Sequence, residues 1–175
     1  MVEIRRLEAE EGRRRVRELA GVLKDCVDGG ASVSFMASLT QEEAVAFFEG
    51  SVAEVEKGER ILLAAFADSE LVGTVQVLLA SPPNQPHRGD LAKMLVARRA
   101  RRLGIGRMLL ERAEEEARLA GKTLLVLDTV TGDNAERLYL RHGWTISGVI
   151  PNYALYPDGR YCDTTVFWKQ IAPLG

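Results

Sequence analysis

The chain has 175 residues, 46% of them hydrophobic, and a formal net charge of −2. That length suits a single domain over 1–175, and the charge balance excludes binding to nucleic acid by bulk electrostatics. No run approaches the ~18 consecutive apolar residues of a membrane span, and Met1-Val2-Glu3-Ile4-Arg5 lacks a signal-peptide profile, so a cytoplasmic protein without membrane contact is expected.

Val2 to Leu7 alternates as a short strand. Val16, Leu19, Ala20, Leu23 and Val27 recur at helical spacing, so residues 9–27 read as a helix that Gly29-Gly30 stops. Ala31 to Leu39 reads as a loop. Thr40 has Glu43 three residues on as a capping-box partner, which starts a second helix running to Lys57 and ended by Gly58. Ile61 to Ala67 is a continuous apolar strand. After a turn at 68–70 the chain returns through Leu71 to Leu79, with Leu71, Val75, Val77 and Leu79 as its apolar face, and the pair reads as an antiparallel hairpin.

Ser81 to Gly89, rich in proline, reads as an irregular loop. Leu91 to Val96 is the next strand, Ile105 to Ala120 an amphipathic helix, and Leu124 to Leu127 a buried strand. Asp133 caps a short helix with Glu136 answering it, and His142-Gly143 ends that helix. Trp144 to Ile150 and Tyr161 to Trp168 are final strands about a Pro157-Asp158-Gly159 turn. The order β-α-α-β-β-β-α-β-α-β-β, with a parallel crossover over 91–127, predicts a mixed α/β sheet with helices on both faces.

The most informative segment is Arg98-Arg99-Ala100-Arg101-Arg102-Leu103-Gly104-Ile105-Gly106, between a strand and a helix. A helix N-terminus offers unpaired N–H groups and the positive end of the dipole, glycines let the backbone approach a ligand, and arginines attract negative charge. Phosphate binding is therefore expected here. The segment is not a P-loop, because no Gly-Lys-Ser/Thr follows. Nor is it a dinucleotide fingerprint, which needs Gly-x-Gly-x-x-Gly in the first strand–turn–helix.

Leu95-Val96 followed by Arg101-Arg102-Leu103-Gly104-Ile105-Gly106 resembles the pyrophosphate-binding motif of the GCN5-related N-acetyltransferase (GNAT) family. Asn134, Ala135, Leu138, Tyr139 and Gly143-Trp144 match a second region, with Trp144 in the usual Phe place. Two positions depart: Arg102 stands where many members have Gly, and Arg98 where many have Pro. The resemblance implies a mixed, mostly antiparallel seven-stranded sheet with four helices, and acetyl-CoA as cosubstrate. It also implies that backbone groups of Met94, Leu95 and Val96 pair with the pantetheine arm. Arg101 belongs to the same motif, and the N–H groups of Arg102, Leu103, Gly104, Ile105, Gly106 and Arg107 should meet the pyrophosphate. Asn134 should touch the CoA arm, and Tyr139 should protonate the departing thiolate.

Within that family, Gly29-Gly30-Ala31-Ser32-Val33, Lys93-Met94-Leu95-Val96, Leu127-Asp128-Thr129 and Tyr156-Pro157-Asp158-Gly159-Arg160 resemble the tabtoxin-resistance acetyltransferases. That implies an amino-acid-like acceptor amine and a role in toxin or antibiotic resistance. Ser32, Ser34, Phe35 and Met36 fall in the loop that borders the acceptor site in the family.

The chemistry adds two demands. A protonated amine cannot attack a thioester, so a base or a desolvated site must take its proton. Asp90, entering the central strand, and Asp128, at the C-terminal end of the next, are the candidates; either could also hold the ammonium group. The acyl oxygen needs a donor, which a strand N–H such as that of Leu95 could supply. Direct attack through a tetrahedral intermediate needs no protein nucleophile, in keeping with the lack of a Ser/His/Asp or Cys/His arrangement. Cys26 and Cys162 lack metal spacing and read as reduced structural thiols; His87 and His142 lack metal-ligand company, so no metal is expected.

The sequence thus predicts acetyl transfer from acetyl-CoA to a small-molecule amine. The loops 28–39 and 81–89 and the 151–160 turn are expected to wall in that acceptor. Two alternatives stand beside it: a protein or peptide acceptor, and a non-catalytic acyl-CoA-binding module. A homodimer is compatible with the fold.

Overall fold

The computed structural model describes residues 1–79 and 82–172. Ser81, where the proline-rich loop was expected to begin, lies outside them. The elements are β1 (Val2–Arg6), α1 (Ala9–Asp28), α2 (Gln41–Glu56), β2 (Arg60–Ala67), β3 (Glu70–Leu78), β4 (Arg88–Val96), α3 (Ile105–Leu119), β5 (Leu124–Val130), α4 (Asn134–Arg141), β6 (Thr145–Leu155) and β7 (Tyr161–Gln170). A 3-10 turn at Arg98–Ala100, unforeseen in the sequence, joins β4 to the loop before α3.

The strands form one seven-stranded sheet in the order β1-β2-β3-β4-β5-β7-β6. Every neighbouring pair is antiparallel except β4 and β5, the predicted crossover. The Thr40–Glu43 capping box forms in full, with Glu43 N–H on Thr40 Oγ1 at 3.1 Å and Thr40 N–H on Glu43 Oε2 at 2.8 Å.

The sheet has a core on each face. Leu7, Leu19, Leu23, Phe48, Leu62 and Leu95 pack beneath α1 and α2. Ile61, Leu63, Val75, Leu109, Leu125 and Phe167 pack beneath α3 and α4. β3 departs from simple alternation, because its polar Thr74 and Gln76 are wholly buried as well. Both are satisfied: Thr74 Oγ1 donates to Leu63 O at 2.8 Å, and Gln76 bonds Ser51 Oγ at 3.3 Å and accepts from Arg60. Partnered polar groups are tolerated in a core, so a two-sided buried strand can look half-exposed in sequence.

Two irregularities in β4 shape the site. It pairs with β5 only over Arg88–Asp90 against Leu124–Val126, and beyond that the two strands part. Against β3, Gln76 faces Ala92 and Thr74 faces Leu95, so β4 carries one extra residue. That is a β-bulge. Consequently Leu91 packs under α3 and α4 while Leu95, an even number of residues on, packs under α1 and α2. Lys93 sits at the bulge with φ 50°, in the left-handed region.

Candidate active site

Where β4 and β5 separate, a cleft of about 910 Å³ opens between Leu91–Val96 and Asp128–Asp133. Its floor is reached by α4 through Asn134, Leu138 and Tyr139, and one end is covered by residues 29–36 and 153–156.

At the other end stands the N-terminus of α3. Gly104 is its N-cap, with φ 76°, a conformation that L side chains resist. No side chain caps the helix and its first turn holds no acidic residue. Among the described residues, the backbone N–H groups of Arg102 through Arg107 have no hydrogen-bond partner in the chain. Open N–H groups at the positive end of a helix dipole make an anion seat, which fits the pyrophosphate of acetyl-CoA. Gly106 faces Leu138, and a Cβ there would stand 3.4 Å from Leu138 Cδ2. Arg102 has φ 67°, so the residue standing in a usual glycine place holds a backbone shape that glycine takes without strain.

The arginines divide by role. Arg98 binds Asp25 through its backbone N–H at 2.7 Å and its Nε at 2.9 Å. Arg99 pairs with Glu70 at 2.9 Å. These two therefore anchor the turn. Arg101 lines the cleft and donates from Nε to Val96 O at 3.3 Å. Arg102 has no ion pair among the described residues, and Arg107 only a loose one to Glu111 at 3.9 Å.

The exposed edge of β4 brings Met94, Leu95 and Val96 to the cleft wall. The start of α4 brings Asn134, held because Asp133 Oδ1 accepts its N–H at 2.6 Å. Glu136 does not answer the cap as a box partner would. Its carboxylate instead takes the Gly132 N–H at 2.5 Å and the Thr165 hydroxyl at 2.8 Å, fastening the β5–α4 loop to β7.

Tyr139 is 4% exposed, its ring 5.7 Å from both Trp144 and Phe167. Burial pushes its phenol pKa far up, and the Asp128 carboxylate adds to the rise. Its hydroxyl stays protonated at neutral pH and suits a proton donor. The Trp144 indole N–H donates to Glu114 at 2.9 Å, and Lys169 neutralises that buried carboxylate at 2.7 Å.

The two candidate carboxylates part company. Asp128 is exposed and lines the cleft, and its carboxylate has no ion pair or hydrogen bond among the described residues. Asp90 does not line the cleft; it lies in the stretch where β4 and β5 still pair, with Arg88 Nη1 on its Oδ1 at 2.5 Å. Residues 82–87 precede β4, and Arg88 and Gly89 are its first two residues; none of them walls the cleft, because the separation opens at the other end of the strand.

Lys93, quoted in the sequence only as part of a strand, lines the cleft. Its Nζ donates to Ser34 Oγ at 3.0 Å. A lysine inside the otherwise apolar run Leu91–Val96 was the available signal.

Among the described residues there is no metal-ligating cluster, and no helix is long and apolar enough to cross a membrane.

Comparison with known proteins agrees with this geometry. Residues 23–144 match the family model described as the acetyltransferase (GNAT) family. A GNAT-family acetyltransferase from Streptococcus pneumoniae is 26% identical, with TM-score 0.78 and coverage of 97% of this chain and 99% of that one. YncA of Salmonella typhimurium, solved with its cofactor acetyl-CoA, is 19% identical with TM-score 0.82, covering 100% and 96%. The ribosomal-protein-alanine N-acetyltransferase of Brucella melitensis is 23% identical with TM-score 0.79, covering 96% and 99%. A sheet that splays between β4 and β5, an uncapped helix N-terminus beside it and the family match have one reading: the chain belongs to the GNAT family of acetyl-CoA-dependent acetyltransferases.

Proposed function

We propose that the protein acetylates the amino group of a small molecule, drawing the acetyl group from acetyl-CoA. The observation that carries the acceptor class is the closure of the cleft's far end. Ser32 Oγ donates to Leu155 O at 2.6 Å, and Ala37 N–H donates to Pro157 O at 3.2 Å. These bonds clasp the α1–α2 loop to the end of β6 and the turn after it. A peptide acceptor needs a groove open along its length, and the clasp lies across that path.

The bound cosubstrate supplies an acyl group activated as a thioester. The chain's residues then divide the remaining work. The N–H groups of Arg102 through Arg107, with Arg101, hold the pyrophosphate. Met94, Leu95 and Val96 offer strand-like hydrogen bonds to the pantetheine arm, and Asn134 steadies it from the opposite wall. Asp128 holds the acceptor's ammonium group and takes its proton as the amine attacks. A backbone N–H on the unpaired edge of β4 donates to the acyl oxygen, in place of that of Leu95, which is turned toward Thr74 of β3. As the N–C bond forms and the C–S bond breaks, the Tyr139 hydroxyl gives its proton to the thiolate. The net products are the amide, free thiol and one proton.

A CoA-release assay over amino acids, β-lactam toxins, polyamines and aminoglycosides, run beside peptides with free N-termini and lysines, tests this. Amine-dependent release with small molecules alone is the expected result. Release with peptides alone would overturn the acceptor class.

A further inference from the structure

Lys93 and Asp128 stand in opposite walls of the same end of the cleft, one on β4 and one on β5. They carry opposite charges and feel one another, since Asp128 favours the charged form of Lys93. Yet they do not meet. Neither has an ion pair within 4.0 Å among the described residues, and the only polar contact of the Lys93 amine is the neutral Ser34 hydroxyl. Two complementary charges that face each other across a gap are spaced for something between them.

The backbone is built to place this lysine. The extra residue in β4 breaks its alternation, and Lys93 occupies the bulge at φ 50°. A non-glycine residue there is strained, and such strain concentrates where a side chain must be re-aimed. Ser34, its partner, also has a positive φ, of 77°. Thus two strained residues from separate segments meet at one hydrogen bond, and the Phe47 ring lies 5.8 Å from the ammonium.

Energetics point the same way. Burial lowers the pKa of Lys93, the Arg60 charge lowers it further, and Asp128 only partly offsets them. A half-buried ammonium with one neutral acceptor is under-compensated. An anion arriving beside it would restore the lost solvation, and two of its three donors remain for the task.

We infer that Lys93 is a specificity residue that binds an anionic group on the acceptor, so that the acceptor is a zwitterion whose ammonium lies at Asp128 and whose carboxylate, or isosteric acid, lies at Lys93. This inference rests on the small-amine reading above and narrows it. It selects acceptors that bear an acid near the reacting amine over polyamines and aminoglycosides, whose extra positive charges Lys93 repels.

The test compares L-amino acids with their primary amides and with the amines left by removing the carboxyl group. CoA release is followed for the unaltered protein and for Lys93→Met and Lys93→Glu. The protein should prefer the acid to its amide by roughly 10- to 100-fold in kcat/KM, the range of one charge-assisted hydrogen bond. Lys93→Met should bring that ratio to about one, chiefly through KM. Lys93→Glu should shift the preference to diamines. Calorimetric titration of each variant with acetyl-CoA reports that the cofactor half is folded. If amides and acids are acetylated equally by the unaltered protein, or if Lys93→Met slows both without changing their ratio, the inference falls while the small-amine reading stands. If only peptides are acetylated, or no amine is, the broader reading falls and takes this one with it.

Discussion

The Asp128 carboxylate faces the buried Tyr139 phenol, and burial together with that negative charge holds the phenol proton well above its ordinary pKa of 10.0. A phenol so placed keeps its proton throughout the neutral range. Tyr139→Phe removes the hydroxyl and keeps the ring contacts with Trp144 and Phe167. Its kcat should fall by roughly 10²- to 10⁴-fold, as for loss of a general acid, with acetyl-CoA affinity unchanged. A kcat within twofold of the unaltered protein would remove Tyr139 from the mechanism. Stability carries a second signature. The folded pKa exceeds the unfolded one, so the contribution is complete below pH 10 and declines as pH rises past it. Denaturant titrations at pH 9 and above should show a smaller alkaline loss in Tyr139→Phe.

Replacing each carboxylate separates the two aspartates. Asp128→Asn keeps shape and removes the charge that would hold an ammonium group. It should lower kcat/KM at neutral pH by about 10²-fold or more, the lower range of general-base effects. Asp90→Asn touches only the Arg88 pair outside the cleft and should stay within a few-fold. Steady-state kinetics at saturating acetyl-CoA measures both, and the reverse ranking would reinstate Asp90 as the working group.

The contrast between these aspartates shows where sequence reading stops. Element order, the parallel crossover and the Thr40–Glu43 cap were all legible, because periodicity and capping are local chemistry. The uncapped start of α3 was legible too, since Gly104 and Gly106 mark a strand-to-helix turn by themselves. Which of two strand-end aspartates faces the cleft depends on where β4 stops pairing with β5, a three-dimensional fact. The bulge at Lys93 was hidden for the same reason: register against β3 is not written in β4 alone. The arginine run looked uniform, yet Asp25 and Glu70, distant in sequence, claim Arg98 and Arg99.

Gly106→Asp tests the anion seat. A side chain at this position meets Leu138 only at ordinary contact distance, so the fold should tolerate it. The new carboxylate stabilises an isolated helix N-terminus but repels a phosphate there. Acetyl-CoA affinity by calorimetry should fall at least about tenfold, or about 1.4 kcal/mol, with the melting temperature unchanged or raised. Unchanged affinity in a folded variant would move the pyrophosphate elsewhere.

Asp25 holds the turn from beneath. Burial raises its pKa, but the backbone and side-chain bonds from Arg98 more than reverse this and leave it lowered. A depressed carboxylate stabilises the fold above its unfolded value of 3.8 and loses that contribution as pH falls toward the lower folded value. Asp25→Ala should therefore lower the melting temperature by about 2–4 °C for each kcal/mol lost at neutral pH. Its acid-induced unfolding should lack one component between pH 3.8 and the lower folded value. Equal losses for both proteins through that window would show that the pair contributes nothing.

Ser32→Ala cuts one strap of the clasp that closes the acceptor end. The hydroxyl reaches Leu155 O at 2.6 Å and accepts from Cys162 Sγ at 3.5 Å, so its loss frees one carbonyl and loosens the loop over β6. A neutral hydrogen bond contributes about 0.5–1.5 kcal/mol, which converts to a roughly 2- to 10-fold rise in acceptor KM. The start of α3, the proposed cofactor seat, lies at the opposite end of the cleft, so acetyl-CoA affinity should be unchanged. Measuring acceptor KM and acetyl-CoA Kd on the same preparation separates the cases. A joint loss means that the clasp supports the whole fold, whereas a loss confined to the acceptor means that it shapes the amine site alone. An unchanged acceptor KM would show that the α1–α2 loop is held by the Ala37–Pro157 bond instead, and that the acceptor end stays closed without Ser32.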